Sequence, residues 1–366
     1  MPRLLHTADW QIGRQYGRFA GEDAAVLAQA RFAAVERIAA LATERGADAV
    51  LVAGDVFDLQ AVSDRTIRRL FHALAGFTGP WLLLPGNHDA ALAESVWSRA
   101  RRLDCIPANV RVCEQPGVIT LDALGIAVLA APLTQRQTHD DLTAFFDDAE
   151  TPPGMLRIGL AHGSVTGVLP ESADSPNPIA ADRAGRARLD YLALGDWHGS
   201  RRIDARTWYS GTPEPDRFRG NEPGNVLLVE LAALAEPRVE TVPVARHRWH
   251  ERRFEFTVAS DVDRFAAELA AIATDDVVAL ALSGRVDLDA GRRIREQVEI
   301  VRGRTRALEV DDQALRLVPT DADVAALAAD GYLGDVLVEL REQSDDPIAA
   351  EALALLAGLL ADRACS

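Results

Sequence analysis

Short, dense apolar runs alternate with longer amphipathic stretches through the first half of the chain. "RLLHTAD" (3–9), "ADAVLVAGD" (47–55) and "PWLLLPGNHD" (80–89) are brief, strongly apolar, and tipped with polar residues. Helical spacing fills the intervals, from about Asp23 to Glu44 and from Ser63 to Ala75, and "ALAESVWSRARRL" reads as a further helix. Buried-strand runs separated by helices predict a mainly parallel sheet with helices packed on it.

After about Val110 the pattern shifts. "VITLDALGIAVLAAPL" alternates around a glycine, like a hairpin, and "LRIGLAHGSV" and "LDYLALGDWHG" are two more apolar runs with polar ends. "RRIDARTWYSGTPEPDRF", "NVLLVELAAL" and "RVETVPVAR" look like antiparallel strands, which together predict a two-layer sheet core with helices outside. Residues 164–188 are dominated by Pro, Ser, Gly and Asp and read as a long surface loop. From about Arg246 a new rhythm begins: "RRFEFTV" strand-like, Asp261–Ala273 helical, "DVVALALSGRVDL" strand-like, Ala290–Gly303 helical and "LEVDDQALRLV" strand-like, a small α+β unit. An amphipathic, helical tail rich in Ala and Leu follows, so the expected domains are 1–245, 246–320 and a helical segment 321–366. A terminal helix pair usually docks on its own domain; binding a partner is the alternative.

Composition bounds the class. With 48% hydrophobic residues the chain can bury a sizeable core, and no apolar run is long enough to span a membrane. The N-terminus lacks a signal-peptide pattern, and Cys105, Cys113 and Cys365 lack metal-type spacing, so a reducing, cytoplasmic setting without membrane association is expected. The net charge of -16 argues against a uniformly basic nucleic-acid binder but leaves room for a local basic groove. All 39 basic residues are arginine, so an arginine cluster carries less weight here than usual.

Charge at the end of a buried strand is costly unless something uses it. Here it recurs: Asp9 with Gln11, Asp55 in "GDVFD", Asn87, His88 and Asp89 in "GNHD", His162 in "AHG", and Asp196 and His198 in "GDWH". One such tip alone is usually a turn or a satisfied polar residue. Several on adjacent strands converge on one cleft beyond the carboxyl ends of a sheet, where α/β proteins bind ligands. Carboxylate, amide and imidazole donors without thiolates suit Mn2+, Fe2+, Mg2+ or Zn2+, and their number points to two ions, which can activate water and clamp the oxygens of an in-line displacement at phosphorus.

The ordered motifs resemble the calcineurin-like metallophosphoesterases, and "HTADWQIG", "AGDVFD", "LLLPGNHD" and "YSGTPEPDRF" more specifically resemble the SbcD-type DNA repair exonucleases. The resemblance implies an α/β fold, a two-layer β-sandwich core flanked by helices (α-β-β-α), with a smaller α+β capping domain and C-terminal helices. It also implies that Asp55 bridges two divalent metals, that Asp9, Gln11 and His198 complete one site, and that Asn87, His162 and Asp196 complete the other. His88 would be the acid, or the transition-state stabiliser, at the leaving oxygen, with Asp89 orienting it.

The chain departs from the family at two of these positions, where histidine is usual. Gln11 offers a neutral oxygen that binds borderline metals less well than imidazole. Asp196 adds a negative charge, which shifts the preference toward Mn2+ or Mg2+ and away from Zn2+. An active variant with its own metal preference, a centre working with one metal, and an inactive scaffold all follow from these changes.

DNA repair cleavage, exo- or endonucleolytic, is the function the resemblance implies, with Arg14, Arg201, Arg202 and Arg217 as candidate phosphate contacts. A solvated face is the plainer account of the arginine groups, and core packing the plainer account of Trp10 and Trp197. A small-molecule or nucleotide phosphodiesterase or phosphatase uses the same metal chemistry. A non-catalytic repair subunit is a third class. Family members of the nuclease type work with an SbcC-like coiled-coil ATPase, and a homodimer is common among them.

Overall fold

The structure is a computed structural model describing residues 1–168, 176–218, 220–233, 235–326, 332–343 and 345–364. The chain divides into two units, Met1–His247 and Arg248–Ser366. In the first, β1 (Arg3–Thr7), β2 (Ala49–Val52), β3 (Trp81–Leu83) and β4 (Val110–Val112) run parallel. Helices α1 (Gly21–Glu44), α2 (Asp64–Ala73) and α3 (Val96–Arg102) connect them. The Ser63 hydroxyl accepts the Thr66 N–H and so begins α2, while Ser95 and Ser98 cap the start of α3 reciprocally.

The second sheet starts with the antiparallel hairpin β5 (Gly117–Leu121) and β6 (Ile126–Ala131), closed by Gly125 at φ 64°. It continues with β7 (Leu156–His162). The 164–188 stretch is not all loop: β8 (Ser164–Val165) pairs with β9 (Pro178–Ile179), and the one-turn helix α4 (Arg183–Arg186) follows. Residues 169–175 of that stretch, like Cys365, lie outside the described residues. β10 (Tyr191–Gly195), β11 (Arg201–Arg202) and β12 (Thr207–Tyr209) complete the sheet, ordered β11-β12-β10-β7-β6-β5. Antiparallel β13 (Asn225–Glu230) and β14 (Arg238–Pro243) return to the first sheet, ordered β14-β13-β1-β2-β3-β4.

Period-two alternation sends successive side chains to opposite faces. Leu4, Leu51 and Leu227 meet Val128, Leu160 and Ala193 between the sheets. Leu5, Val50 and Val52 instead pack against Val35, Ile38, Leu70 and Trp97 of the helices. On the far side, Leu129, Leu192 and Leu194 pack with Phe146, Ala184 and Ala187. The result is the expected helix–sheet–sheet–helix sandwich. His6, fully buried between the sheets, places Nδ1 2.9 Å from the Tyr191 hydroxyl and Nε2 3.2 Å from the Leu194 carbonyl. Burial drives its pKa down to about 3, so it bridges the sheets as a neutral ring.

In the second unit β15 (Trp249–Phe256), β16 (Val277–Val286) and β17 (Ala307–Leu317) are parallel and joined by α5 (Ser260–Ala270) and α6 (Leu288–Arg302). Phe254, Phe256 and Phe265 stack edge to face in its core. The tail forms α7 (Asp321–Ala326), α8 (Tyr332–Glu342) and α9 (Pro347–Ala364). Leu337, Leu353 and Ala357 bury against Leu288, so the tail docks on its own unit. Among the described residues no helix is long and apolar enough to cross a membrane.

Candidate metal centre

The parallel strands β1, β2, β7 and β10 all deliver their carboxyl ends to one place. The chain past β1 stays zipped to the chain past β2: the N–H groups of Asp9 and Gln11 donate to the carbonyls of Gly54 and Asp55 at 3.0 and 2.9 Å. Four residues here adopt left-handed backbone, Asp9 (φ 54°), Gln11 (φ 45°), Asp55 (φ 52°) and Asp196 (φ 97°). Such conformations cost on the order of 1 kcal/mol or more each outside glycine, and they concentrate where a site requires them. Gly54, itself at φ 93°, lies so close to the His162 ring that a Cβ would collide with it.

His162, Asp55, Asn87 and Asp196 form one tight group. From His162 Nε2 the nearest oxygens are Asn87 Oδ1 at 3.1 Å, Asp55 Oδ1 at 3.5 Å and Asp196 Oδ1 at 3.6 Å. His162 Nδ1–H donates to the Ala53 carbonyl at 2.8 Å, which turns Nε2 toward those oxygens as the atom that a metal would take. Asp9 completes the group: its carboxylate accepts the Asp196 N–H at 3.1 Å, and Asp9, Asp55 and His162 each offer a ligand atom within 4.8 Å of the others. Ligands about 2.1 Å from one divalent ion stand roughly 3 Å apart, so this donor set fits such an ion.

The electrostatics agree. Burial, with Asp55 and Asp196 nearby, lifts the Asp9 carboxyl to about 6 against the pull of His198 and His162. Burial alone would lower His162, but the carboxylates of Asp55, Asp196 and Asp9 outweigh it and raise the ring to about 9. Excess buried negative charge of this kind calls for a cation.

His88 stands at the edge of the group. Its Nδ1–H donates to the Asp58 carbonyl at 2.7 Å, its Nε2 lies 3.9 Å from Asp55 Oδ2, and its backbone N–H donates to Asp55 at 2.9 Å. The orienting contact expected from Asp89 is therefore made by the Asp58 carbonyl. The buried Asp89 carboxylate instead accepts the N–H groups of Phe57 (3.0 Å) and Gly86 (2.7 Å), pinning the "GNHD" turn to the "GDVFD" turn. Backbone donors already suit its carboxylate there, so the ring is left to a carbonyl. Burial and the neighbouring Asp55 push the Asp89 pKa up to about 7.

Gln11 and His198 sit together but in different company. Gln11 Oε1 accepts from Arg14 Nη1 at 2.9 Å, and Gln11 Nε2 is 3.2 Å from His198 Nε2. His198 Nδ1 is 3.1 Å from Asp216, and Arg217 Nη2 lies 2.8 and 3.2 Å from the two ring nitrogens. Arg14 also pairs with Asp58 and Asp216, both at 3.1 Å. Burial would raise Asp216, yet His198, Arg31 and Arg217 hold it well below the usual carboxylate range.

The other arginines are not part of this cluster. Arg201 donates to the Val168 carbonyl at 3.1 Å and lies over Trp197, while the exposed Arg202 donates to the Asp204 carbonyl and lies over Trp208. Trp10 is buried, with Nε1–H on the Thr7 hydroxyl and its ring edge on Trp81. Sequence reasoning missed Asp58, Asp216 and the fully buried Arg31, which donates to the carbonyls of Trp10 (2.8 Å) and Glu214 (3.2 Å) and to the Tyr16 hydroxyl. Asp216 lies inside "YSGTPEPDRF", so its neighbourhood was visible although its role was not.

Residues 2–183 match the family model for calcineurin-like phosphoesterases. The DNA double-strand break repair protein Mre11 of Aeropyrum pernix is 32% identical over 266 residues, 67% of this chain and 62% of that protein. The SbcD component of the SbcCD nuclease of Rhodobacter capsulatus is 29% identical over 288 residues, 66% of this chain and 69% of that component. The chain thus spans less than two thirds of the Aeropyrum protein's length. A crystal structure of TT1561 from Thermus thermophilus aligns with a TM-score of 0.42 and 18% identity, over 66% of this chain and 99% of that one.

Proposed function

The chain belongs, through residues 2–183, to the calcineurin-like phosphoesterases, and from that premise we propose that it is a metal-dependent phosphodiesterase that cleaves DNA in repair. The observation carrying the hydrolytic reading is the convergence of Asp9, Asp55, Asn87, His162 and Asp196 with the imidazole of His88 beside them. DNA as substrate, and an SbcC-like ATPase as partner, rest on the two nuclease relatives. Residues 246–320 and 321–366 are read as a capping domain and a C-terminal helical segment.

A divalent metal bound here supplies a Lewis acid for the phosphoryl oxygens and an acidified water. The carboxylates of Asp9, Asp55 and Asp196, with Asn87 and His162, hold it. Hard oxygen donors in the majority favour Mn2+, with Mg2+ or Fe2+ as alternatives and Zn2+ less suited. His88, with Nδ1–H fixed on the Asp58 carbonyl, can carry a second proton only at Nε2 and deliver it to the leaving oxygen. Arg14 and Arg217 point N–H groups into the same region and can hold phosphate without reading base sequence.

The test is the purified full chain with Mn2+, Mg2+ or Zn2+, assayed on single- and double-stranded DNA and on bis-p-nitrophenyl phosphate. Metal-dependent cleavage of DNA supports the proposal. Cleavage of the small ester alone would favour a small-molecule phosphodiesterase, a reading that the net charge of -16 already favours. No hydrolysis of either, with metal bound, would leave a non-catalytic subunit.

A further inference from the structure

Resting on the metal-centre reading above, we propose that this chain holds a single divalent ion, and that Arg14 and Arg217 occupy the position of a second one. Enzymes of this family typically bind two. The second position would draw on Gln11 and His198, and the two atoms it needs are already taken. Gln11 Oε1 accepts from Arg14 at 2.9 Å. The amide cannot turn over, because Arg14 has only donors and would then face the amide nitrogen. Its NH2 group is therefore directed at His198 Nε2, 3.2 Å away.

His198 is enclosed in the same way. Its Nδ1 lies 3.1 Å from Asp216 and 2.8 Å from Arg217 Nη2. Its Nε2 has the Gln11 amide nitrogen and Arg217 Nη2 both 3.2 Å away. Neither atom is free to bind a metal without displacing N–H donors, and any ion there would meet two guanidinium groups.

The charges also compensate. Arg14 reaches Asp58 and Asp216, and Arg217 reaches Asp216 as well, so two cations serve two carboxylates in this half of the cleft. In the other half the carboxylates of Asp9, Asp55 and Asp196 gather around His162. Glutamine at position 11 is thus no weakened ligand. It is the residue that links Arg14 to His198 by hydrogen bonds, where a histidine would offer a lone pair to an ion instead. The chemical consequence is a hybrid centre in which one side of the phosphate meets a metal and the other meets planar N–H donors.

The test reads metal content, not turnover. The full-length chain is stripped with chelator, titrated with Mn2+ by calorimetry, and examined by elemental analysis and electron paramagnetic resonance. The expected result is one Mn2+ per chain with the resolved hyperfine spectrum of an isolated ion. The triple variant Gln11→His, Arg14→Ser and Arg217→Ser should take up a second Mn2+ and show the broadened spectrum of a coupled pair. Two coupled ions in the unaltered chain would overturn the inference and leave the metal-centre reading standing. A triple variant that folds and still binds one ion would overturn the role given to Gln11, Arg14 and Arg217. No Mn2+ in the unaltered chain would overturn the metal-centre reading itself, and the inference with it.

Discussion

The two halves of the cleft both bury charge, and they treat it in opposite ways. Around His162, three carboxylates crowd together, and burial lifts Asp9 to about 6. Around His198, Asp216 is just as inaccessible, yet His198, Arg31 and Arg217 outweigh its burial and hold it well below the ordinary range. The second half carries its cations as side chains, whereas in the proposed centre the first would draw one from solution.

The most severe way to break this contrast is to remove the donor that serves the ion most directly. Asp55 faces His162 through one oxygen and receives the His88 N–H. Asp55→Asn should abolish tight Mn2+ binding and lower hydrolysis of bis-p-nitrophenyl phosphate by roughly 10^4-fold, several kcal/mol of transition-state stabilisation. Elemental analysis and steady-state kinetics check this together. Retention of both metal and activity would show that the ion sits elsewhere.

Stability should move in opposite directions in the two halves once metal is chelated. Asp216 has a folded pKa below the ordinary 3.8, so its contribution is fully present above that value and is lost as pH falls below it. At about pH 8, Asp216→Asn breaks a buried charged network and should destabilise the chelated protein by roughly 3–5 kcal/mol. Asp9 has a folded pKa of about 6 against 3.8, so its ionisation progressively weakens the fold as pH rises between those values. A lift of that size corresponds to roughly 3 kcal/mol, and Asp9→Asn should stabilise the chelated protein by up to about that amount near pH 8. Its advantage should fade toward about pH 4, where Asp9 is protonated on folding. Denaturant titrations across pH measure both, and equal signs for the two variants would remove the distinction.

These halves were not equally legible in the sequence. The first was written locally: apolar runs with Asp9, Asp55, Asn87, His162 and Asp196 at their tips need only a parallel sheet to converge. The sandwich followed from the same runs and from the hairpin around Gly125. The second half depends on pairings between distant positions, Arg14 with Asp216 and Gln11 with His198, that no period or spacing encodes. The same limit hid Arg31 and the sheet-bridging contact of His6 with Tyr191. Asp89 shows a subtler gap. Its position in the turn was plain, but whether its carboxylate met the His88 ring or backbone N–H groups depended on how two turns packed. Left-handed φ at Asp9 and Asp55 likewise has no sequence signature without a glycine.

The smallest expected effect bears most directly on the guanidinium half. Arg217 lies one-third exposed and places Nη2 against His198 while its Nε reaches Asp216 at 3.1 Å. Arg217→Lys keeps the charge and loses the planar fork, so the point charge can still neutralise phosphate but cannot engage Asp216 and substrate together. The expected outcome is a KM for bis-p-nitrophenyl phosphate raised roughly threefold to tenfold, about 1 kcal/mol, with kcat nearly unchanged and Mn2+ content unaltered. A fall in kcat at constant KM would instead place the guanidinium against charge that develops only in the transition state. Unchanged kinetics would mean that Arg217 serves His198 and Asp216 alone, and that the second half of the cleft is a structural brace beside a one-sided metal centre.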